Sequence, residues 1–287
     1  MEKICDYVIG GGAMASIKEM FSVKGKVLLF TGGAGVLASS LARELGGMGA
    51  RIVLTDIVPL GALAEEFRKE GIEVATYYMD VLNRAEVEEV AQSVVRHFGR
   101  VDALFNAAGG NVKEATTSQE VTFFDLPIEA LEKVVRLNLF GGAVIPSQVF
   151  AKVMVAQEEG GSIINFSSMA ALRPLTRVVG YSAAKAAVSN FTQWLAVYIA
   201  REFTPKVRVN ALAPGFFVTK QNYYLLYNED GTLTPRGQAI IDHTPCGRFG
   251  KPRDLLSTVL WLLSPWSSFV TGVVIPVDGG FSAFAGV

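Results

Sequence analysis

Seven short apolar runs, each separated from the next by a longer segment, confine this chain to a narrow set of folds. The runs are Lys26–Phe30, Arg51–Thr55, Glu73–Met79, Ala103–Phe105, Ser162–Phe166, Val207–Leu212 and Val273–Val277. Between them, Ala38–Leu45, Leu60–Glu70, Arg84–Phe98, Ile128 to about Gln157, Tyr181–Glu202 and Arg253–Leu263 read as helices. The third shows the spacing most plainly, with Val87, Val90, Ala91, Val94 and Val95 on one face. Strands that are apolar throughout are buried on both faces, so the expected class is α/β, a doubly wound parallel sheet of about seven strands with helices on both faces. Right-handed crossovers follow from the twist of the strands. Such a sheet binds ligands outside the carboxyl ends of its strands. Thr31, Asp56, Asp80, Asn106, Ser167, Ser168 and Pro214 all fall just after predicted strands.

At 287 residues, half of them apolar, the sequence suffices for one large domain, expected over residues 24–287. Residues 1–23 read as an arm that packs loosely or is disordered, without the pattern of a secretory signal. Turn signals across residues 216–251, such as Asn228-Glu229-Asp230-Gly231, mark a mobile substrate lobe within that domain. A formal net charge of −1 argues against a nucleic-acid partner, which needs a basic surplus. No run approaches the roughly 18 uninterrupted apolar residues of a membrane span. Cys5 and Cys246 read as free thiols in a reducing cytoplasm, and with His97 and His243 they make no metal-ligand spacing.

Gly33-Ala34-Gly35-Val36-Leu37-Ala38 fits G-x-G-x-x-G/A between a strand and a helix. On this pattern Gly33 makes the tight turn, Gly35 lets backbone approach a pyrophosphate, and Ala38 lets helix and strand pack closely. The helix N-terminus then offers free N–H groups to phosphate. Asp56 ends the second strand, where a carboxylate accepts hydrogen bonds from the ribose hydroxyls of NAD and repels a 2′-phosphate. Asp80-Val81 follows the third strand and can meet the adenine. Tyr181 and Lys185, four apart on a helix, share a face. A nearby ammonium favours phenolate, so Lys185 is expected to lower the Tyr181 pKa and let it exchange protons near neutrality.

Thr31-Gly32, Asn106-Ala107-Ala108-Gly109, Asn138, Ser168, Tyr181-Ser182-Ala183-Ala184-Lys185, Pro214-Gly215 with Thr219, and Asp278-Gly279-Gly280 occur in one order across residues 22–287. In these the sequence resembles the classical short-chain dehydrogenases/reductases. The resemblance implies a Rossmann-like fold, an NAD cofactor and a homotetramer. It implies that Asn138, Ser168, Tyr181 and Lys185 are catalytic, Ser168 bonding the reacting oxygen and Asn138 holding a water in a proton relay. It also implies cofactor contacts at Thr31, Gly32, Gly33, Gly35, Val36, Leu37, Asp56, Asp80, Val81, Asn106, Ala107, Ala108, Gly109, Tyr181, Lys185, Pro214, Gly215, Phe217 and Thr219. One departure from the usual family loop, T-G-x-x-x-G-x-G, is that Val36 and Ala38 replace the last two glycines.

Narrower stretches, Arg173-Pro174-Leu175-Thr176, Gly215 to Asn222 and His243 to Gly250 among them, resemble the D-mannonate oxidoreductase (fructuronate reductase) type within that family. The implied substrate is a sugar acid. Arg173 is the first choice to grip its carboxylate, because a guanidinium does so bidentately. Asn111, Lys113, Lys220, Gln221 and Asn222 are further substrate candidates. Gluconate 5-dehydrogenase-like or other polyol dehydrogenase activity is the alternative. A non-catalytic NAD-binding regulatory subunit is the alternative of another class.

Overall fold

The computed structural model describes residues 17–219 and 222–286. Seven parallel strands form one sheet: β1 (Val27–Thr31), β2 (Arg51–Asp56), β3 (Val74–Tyr78), β4 (Ala103–Asn106), β5 (Gly161–Phe166), β6 (Val207–Pro214) and β7 (Val274–Val277). Their spatial order is β3-β2-β1-β4-β5-β6-β7. The order reverses beside β1, between β1 and β4, which opens a crevice above their carboxyl ends. The helices are α1 (Val36–Gly47), α2 (Gly61–Lys69), α3 (Arg84–Phe98), α4 (Ile128–Val155), α5 (Val179–Glu202), α6 (Pro235–Asp242) and α7 (Leu256–Leu263).

Each strand feeds two cores, because successive side chains point to opposite faces. Val27 and Leu29 of β1 join Val53, Leu104, Ile163 and Val209 on one face. Leu28 and Phe30 join Ile52, Leu54, Phe105 and Ile164 on the other. Phe30 pairs with Phe105 in the ladder, and their rings stack at 4.2 Å. This double burial is why the runs read as apolar throughout.

The helix ends differ from expectation where backbone geometry decides. α4 contains a π-helical stretch, Arg136–Val144, that no apolar periodicity announces. α4 has the length and hydropathy of a membrane span, yet half of that window is buried inside the domain, so it serves here as a core helix. α5 begins at Val179, two residues before Tyr181. Of the expected arm, residues 1–23, residues 1–16 lie outside the described residues, Cys5 among them. From its remainder, Ile17–Met20 forms one helical turn and Val23 is buried in the core. The packed domain therefore starts at least one residue before the expected boundary at residue 24. Residues 216–251 carry a small core of their own, Leu226, Ile240 and Phe249.

Candidate active site

The crevice is a cleft of about 480 Å³ over the carboxyl ends of the strands. The glycine loop forms one wall, and its glycines act differently from the pattern's usual assignment. The left-handed turn is at Gly32 (φ 63°), where a Cβ would meet Ala108 Cα at 2.8 Å. Gly33 instead makes the close strand contact: a Cβ there would sit 2.9 Å from Leu54 Cβ. Gly35 precedes α1 and lines the cleft with Gly32, Val36, Leu37 and Ala38. Thr31 is wholly buried and ties β1 to the β4 loop, its Oγ1 accepting from the N–H groups of Ala107 (3.1 Å) and Ala108 (3.2 Å). It positions the wall and does not line it.

The opposite wall comes from β5, α5 and the β6 loop. Ser168, Tyr181 and Lys185 line it together. The neighbouring Ser167 also lines the cleft, but its hydroxyl is engaged, donating to Lys185 O at 3.1 Å and lying 2.7 Å from Ser189 Oγ. Ser168 Oγ accepts from Ala170 N and also acts on the Tyr181 hydroxyl, favouring its phenolate. Burial outweighs that effect and pushes the Tyr181 pKa up. The expected lowering by Lys185 is not what this structure shows. The ammonium lies 5.6 Å from the Tyr181 ring centre and donates to Phe166 O at 2.7 Å. Lys185 itself is pulled from 10.5 down to about 8 by burial.

Asn138 sits in the π stretch of α4, fully buried. Its Nδ2 donates to Gly110 O (2.6 Å) and Val134 O (2.8 Å), and its Oδ1 accepts from Gly110 N (3.1 Å). Gly109 lies between it and the lysine: a Cβ there would be 2.6 Å from Asn138 Oδ1 and 3.4 Å from Lys185 Nζ. The four residues expected to carry chemistry therefore converge on one end of the cleft. That arrangement can exchange a proton at Tyr181 with an oxygen held by Ser168, beside a positive charge.

Several expected contacts are not assembled there. Asn106 points into the core, where its Nδ2 donates to Ser147 Oγ (2.9 Å) and Asn165 Oδ1 (2.8 Å) while its buried Oδ1 has no partner. Ala107 and Gly109 line the cleft, but Ala108 packs beneath it. Asp56 stands at the rim and is already engaged: Oδ2 accepts from Ala34 N at 3.0 Å and Oδ1 from Ile57 N at 2.7 Å. Asp80 binds the backbone of Leu82, and Val81 packs in the core; neither lines the cleft. Pro214, Gly215, Phe217 and Thr219 do line it.

The substrate candidates fare less well. Arg173 lies at the surface, its Nε donating to Ser282 O at 3.0 Å near the C-terminus. Asn111 spends its amide on Val112 O and Thr116 Oγ1, and Lys113 is exposed on a separate turn. Asn222 lines the cleft, but its amide braces its own loop through Thr219 N and Phe217 O. Lys220 and Gln221 lie outside the described residues. Two exposed cations outside the cleft lining, Arg177 on the loop into Tyr181 and Arg236 on α6, were not singled out in the sequence. Burial lowers the Arg236 pKa, the positive Arg177 lowers it further, and Tyr224 opposes both. Neither guanidinium has a carboxylate partner among the described residues. Two arginines that repel one another without an acid between them suit an anion. The only sequence signal was their charge, which is no different from that of any surface arginine.

A cradle of glycines in front of a helix N-terminus, with a proton-exchanging pair at its far end, defines an oxidoreductase site. Residues 33–282 match the family model described as enoyl-(acyl carrier protein) reductase. The protein belongs to the short-chain dehydrogenase/reductase family, as an oxidoreductase acting on alcohol groups. It is 45% identical to an uncharacterized oxidoreductase, UxuB, of Bacillus subtilis, over 93% of this chain and 98% of that protein. It is 32% identical to a 2-dehydro-3-deoxy-D-gluconate 5-dehydrogenase of Formosa agariphila, over 93% of this chain and 97% of the relative. It is similar, with a TM-score of 0.86 and 42% identity, to the crystal structure of a candidate D-mannonate oxidoreductase from Haemophilus influenza with bound NAD, over 95% of this chain and 100% of that one.

Proposed function

We propose that this protein interconverts a secondary alcohol and a ketone on a sugar acid with NAD(H), the pair D-mannonate/D-fructuronate coming first. The observation that carries this reading is the Tyr181–Ser168 pair beside the buried Lys185 ammonium, at the end of a glycine-walled cleft. The cradle fits a dinucleotide, since Gly32, Ala34 and Gly35 line the cleft in front of the α1 N-terminus, whose free N–H groups suit a pyrophosphate. Gly35, Val36 and Leu37 would face its pyrophosphate, and Asp56 its adenosine ribose. The nicotinamide, when bound, supplies or accepts the hydride.

The protein's own residues handle the proton and the oxygen. Tyr181 gives its proton to the carbonyl oxygen during reduction and takes one from the hydroxyl during oxidation. Its raised pKa keeps it protonated at neutral pH, ready for the reductive direction. Ser168 donates to the same oxygen. Ser168 favours the phenolate needed in the oxidative direction, while Lys185 braces the strand end through Phe166 O and Asn138 orders the Gly110 loop. For the substrate carboxylate, Arg177 and Arg236 join Arg173 as candidates, since Arg173 commits only its Nε to the Ser282 carbonyl.

A sugar-acid dehydrogenase acting at another carbon is the second reading, favoured by the likeness to 2-dehydro-3-deoxy-D-gluconate 5-dehydrogenase. The exposed, stacked Trp194 and Tyr198 of α5 are where we place association between copies, in line with the expected homotetramer. The test is a kinetic screen of hexonates and keto-hexuronates with NAD(H) and NADP(H). Highest kcat/KM on the mannonate/fructuronate pair with NAD(H) supports the proposal. A preference for NADP(H), or NADH binding without turnover of any sugar acid, overturns it.

A further inference from the structure

The opposite edge of the sheet holds a second cavity, about 580 Å³, that the chemistry above does not use. All seven strands are parallel, so their amino ends gather on this one edge. The residues at or just before those ends are unusually basic: Lys24, Lys26, Arg51, Arg100, Lys206 and Arg208. Against these six cations stand two carboxylates, Asp102 and Glu159, giving the cavity a net charge of +4. The protein as a whole carries −1. The remainder of the molecule is therefore acidic, and the positive charge is concentrated here.

Both carboxylates are already held by one arginine. Arg100 Nη2 lies 2.6 Å from Asp102 and 3.5 Å from Glu159. The other five cations make no ion pair among the described residues. Four of them also bond backbone carbonyls: Lys26 Nζ donates to Leu263 O (3.3 Å), Arg208 Nη2 to Leu262 O (2.6 Å) at the end of α7, Arg51 Nη2 to Gly25 O (2.8 Å) and Lys206 Nζ to Glu158 O (2.9 Å). Helix C-termini do attract cations, but each carries only about −0.5. The ends of α4, α5 and α7 border the cavity, and together they leave it well on the positive side. The repulsion is visible at Lys26. Burial lowers its pKa first, Asp102 raises it, and the Arg100 and Arg208 guanidiniums lower it again. Arg208 is buried and lowered as well.

We infer that this amino-edge cavity binds a compact polyanion bearing linked phosphates. Arginine forks and lysine ammoniums are the donor set that phosphate oxygens take, and low-dielectric walls strengthen the attraction. The lining contains no aromatic side chain, so it offers no platform for a nucleobase. The inference is independent of the sugar-acid reading, because the cavity lies at the other edge of the sheet.

The probe is inorganic tripolyphosphate, titrated calorimetrically into the full-length protein saturated with NADH. Saturation keeps the glycine cradle from competing for the probe. The rim double substitution Lys24→Gln/Lys206→Gln removes two exposed charges and none of the floor contacts made by Lys26 and Arg208. One saturable site per protomer is expected, weakened at least about 10-fold by the double substitution, with Tm and turnover in the absence of probe unchanged. Such a loss corresponds to about 1.4 kcal/mol. Absence of saturable binding, several weak sites that fade together with added salt, or an affinity indifferent to the double substitution would each overturn the inference.

Discussion

The floor of the cleft and the lobe that overhangs it are built on different principles. On the floor, Asn138, Lys185 and Ser168 expose 0%, 4% and 8% of their surface, and each is held by hydrogen bonds to backbone. In the lobe, four apolar side chains among the described residues are buried, Phe217, Leu226, Ile240 and Phe249, while Tyr223 and Tyr224 stand 49% and 71% exposed. A site with few buried contacts opens at low free-energy cost, whereas one set in a sheet opens only when the domain does. The difference separates two tasks: the floor fixes the reacting atoms, and the lobe is free to fit the rest of the substrate.

If that division holds, floor substitutions lower kcat whatever the substrate. Tyr181→Phe keeps the ring and removes the transferable proton, so kcat should fall at least about 100-fold on every sugar acid turned over. NADH affinity, read by fluorescence, should stay within about twofold. Near-normal turnover would remove Tyr181 from the chemistry and erase the distinction.

A lobe substitution should act on one class of substrate. Arg236→Ala should raise KM for a hexonate roughly 10-fold, the scale of a lost charged hydrogen bond, and leave kcat nearly intact. An uncharged polyol, turned over more slowly, should show no such change. Equal effects on both substrates would assign Arg236 to the packing of α6, and the comparison would need another cation.

The smallest effect sharpens the cost of the floor. Lys185 has a pKa near 8 in the fold against 10.5 in its absence. Between those values the unfolded state holds a proton that the native state has lost, so stability rises with pH across that window. Below pH 8 the native state carries a buried ammonium at a cost of about 3 kcal/mol. Lys185→Met removes that cost and forfeits a hydrogen bond to Phe166 O of about 1 kcal/mol. In denaturant unfolding at pH 7 without cofactor, the variant should be more stable by about 1–2 kcal/mol, and the rise between pH 8 and 10.5 should flatten. A less stable variant would mean that the ammonium is well solvated.

Legibility in the sequence follows the same division. The strands were readable because β1, β2, β4 and β6 are buried on both faces, leaving no polar alternation to confuse the pattern. Tyr181 and Lys185 were readable because helix period sets them on one face, whereas Ser168 was chosen over Ser167 only through the family resemblance. Side-chain orientation was not. Nothing in Asn106-Ala107-Ala108-Gly109 says that the asparagine turns inward to Ser147 and Asn165. Gly33 looked like the turn residue because the motif begins there, whereas the positive φ belongs to Gly32. Arg173 was the first choice for the carboxylate because a loop's hydrogen bonds are not encoded in its residue types. Its bond to Ser282 spans 109 positions of sequence.

The π stretch of α4 carries a further consequence. A π turn holds more residues than an α turn, so it delays the rotation of everything downstream. Without that phase slip, the stripe of Pro146, Val149, Phe150 and Met154, all buried, would be turned partly away from the sheet. One continuous rod thus meshes with two partners cut to different pitches, α5 before the slip and the sheet after it. Asn138 sits within the slip, so the position of a candidate catalytic residue is tied to the gearing of the core.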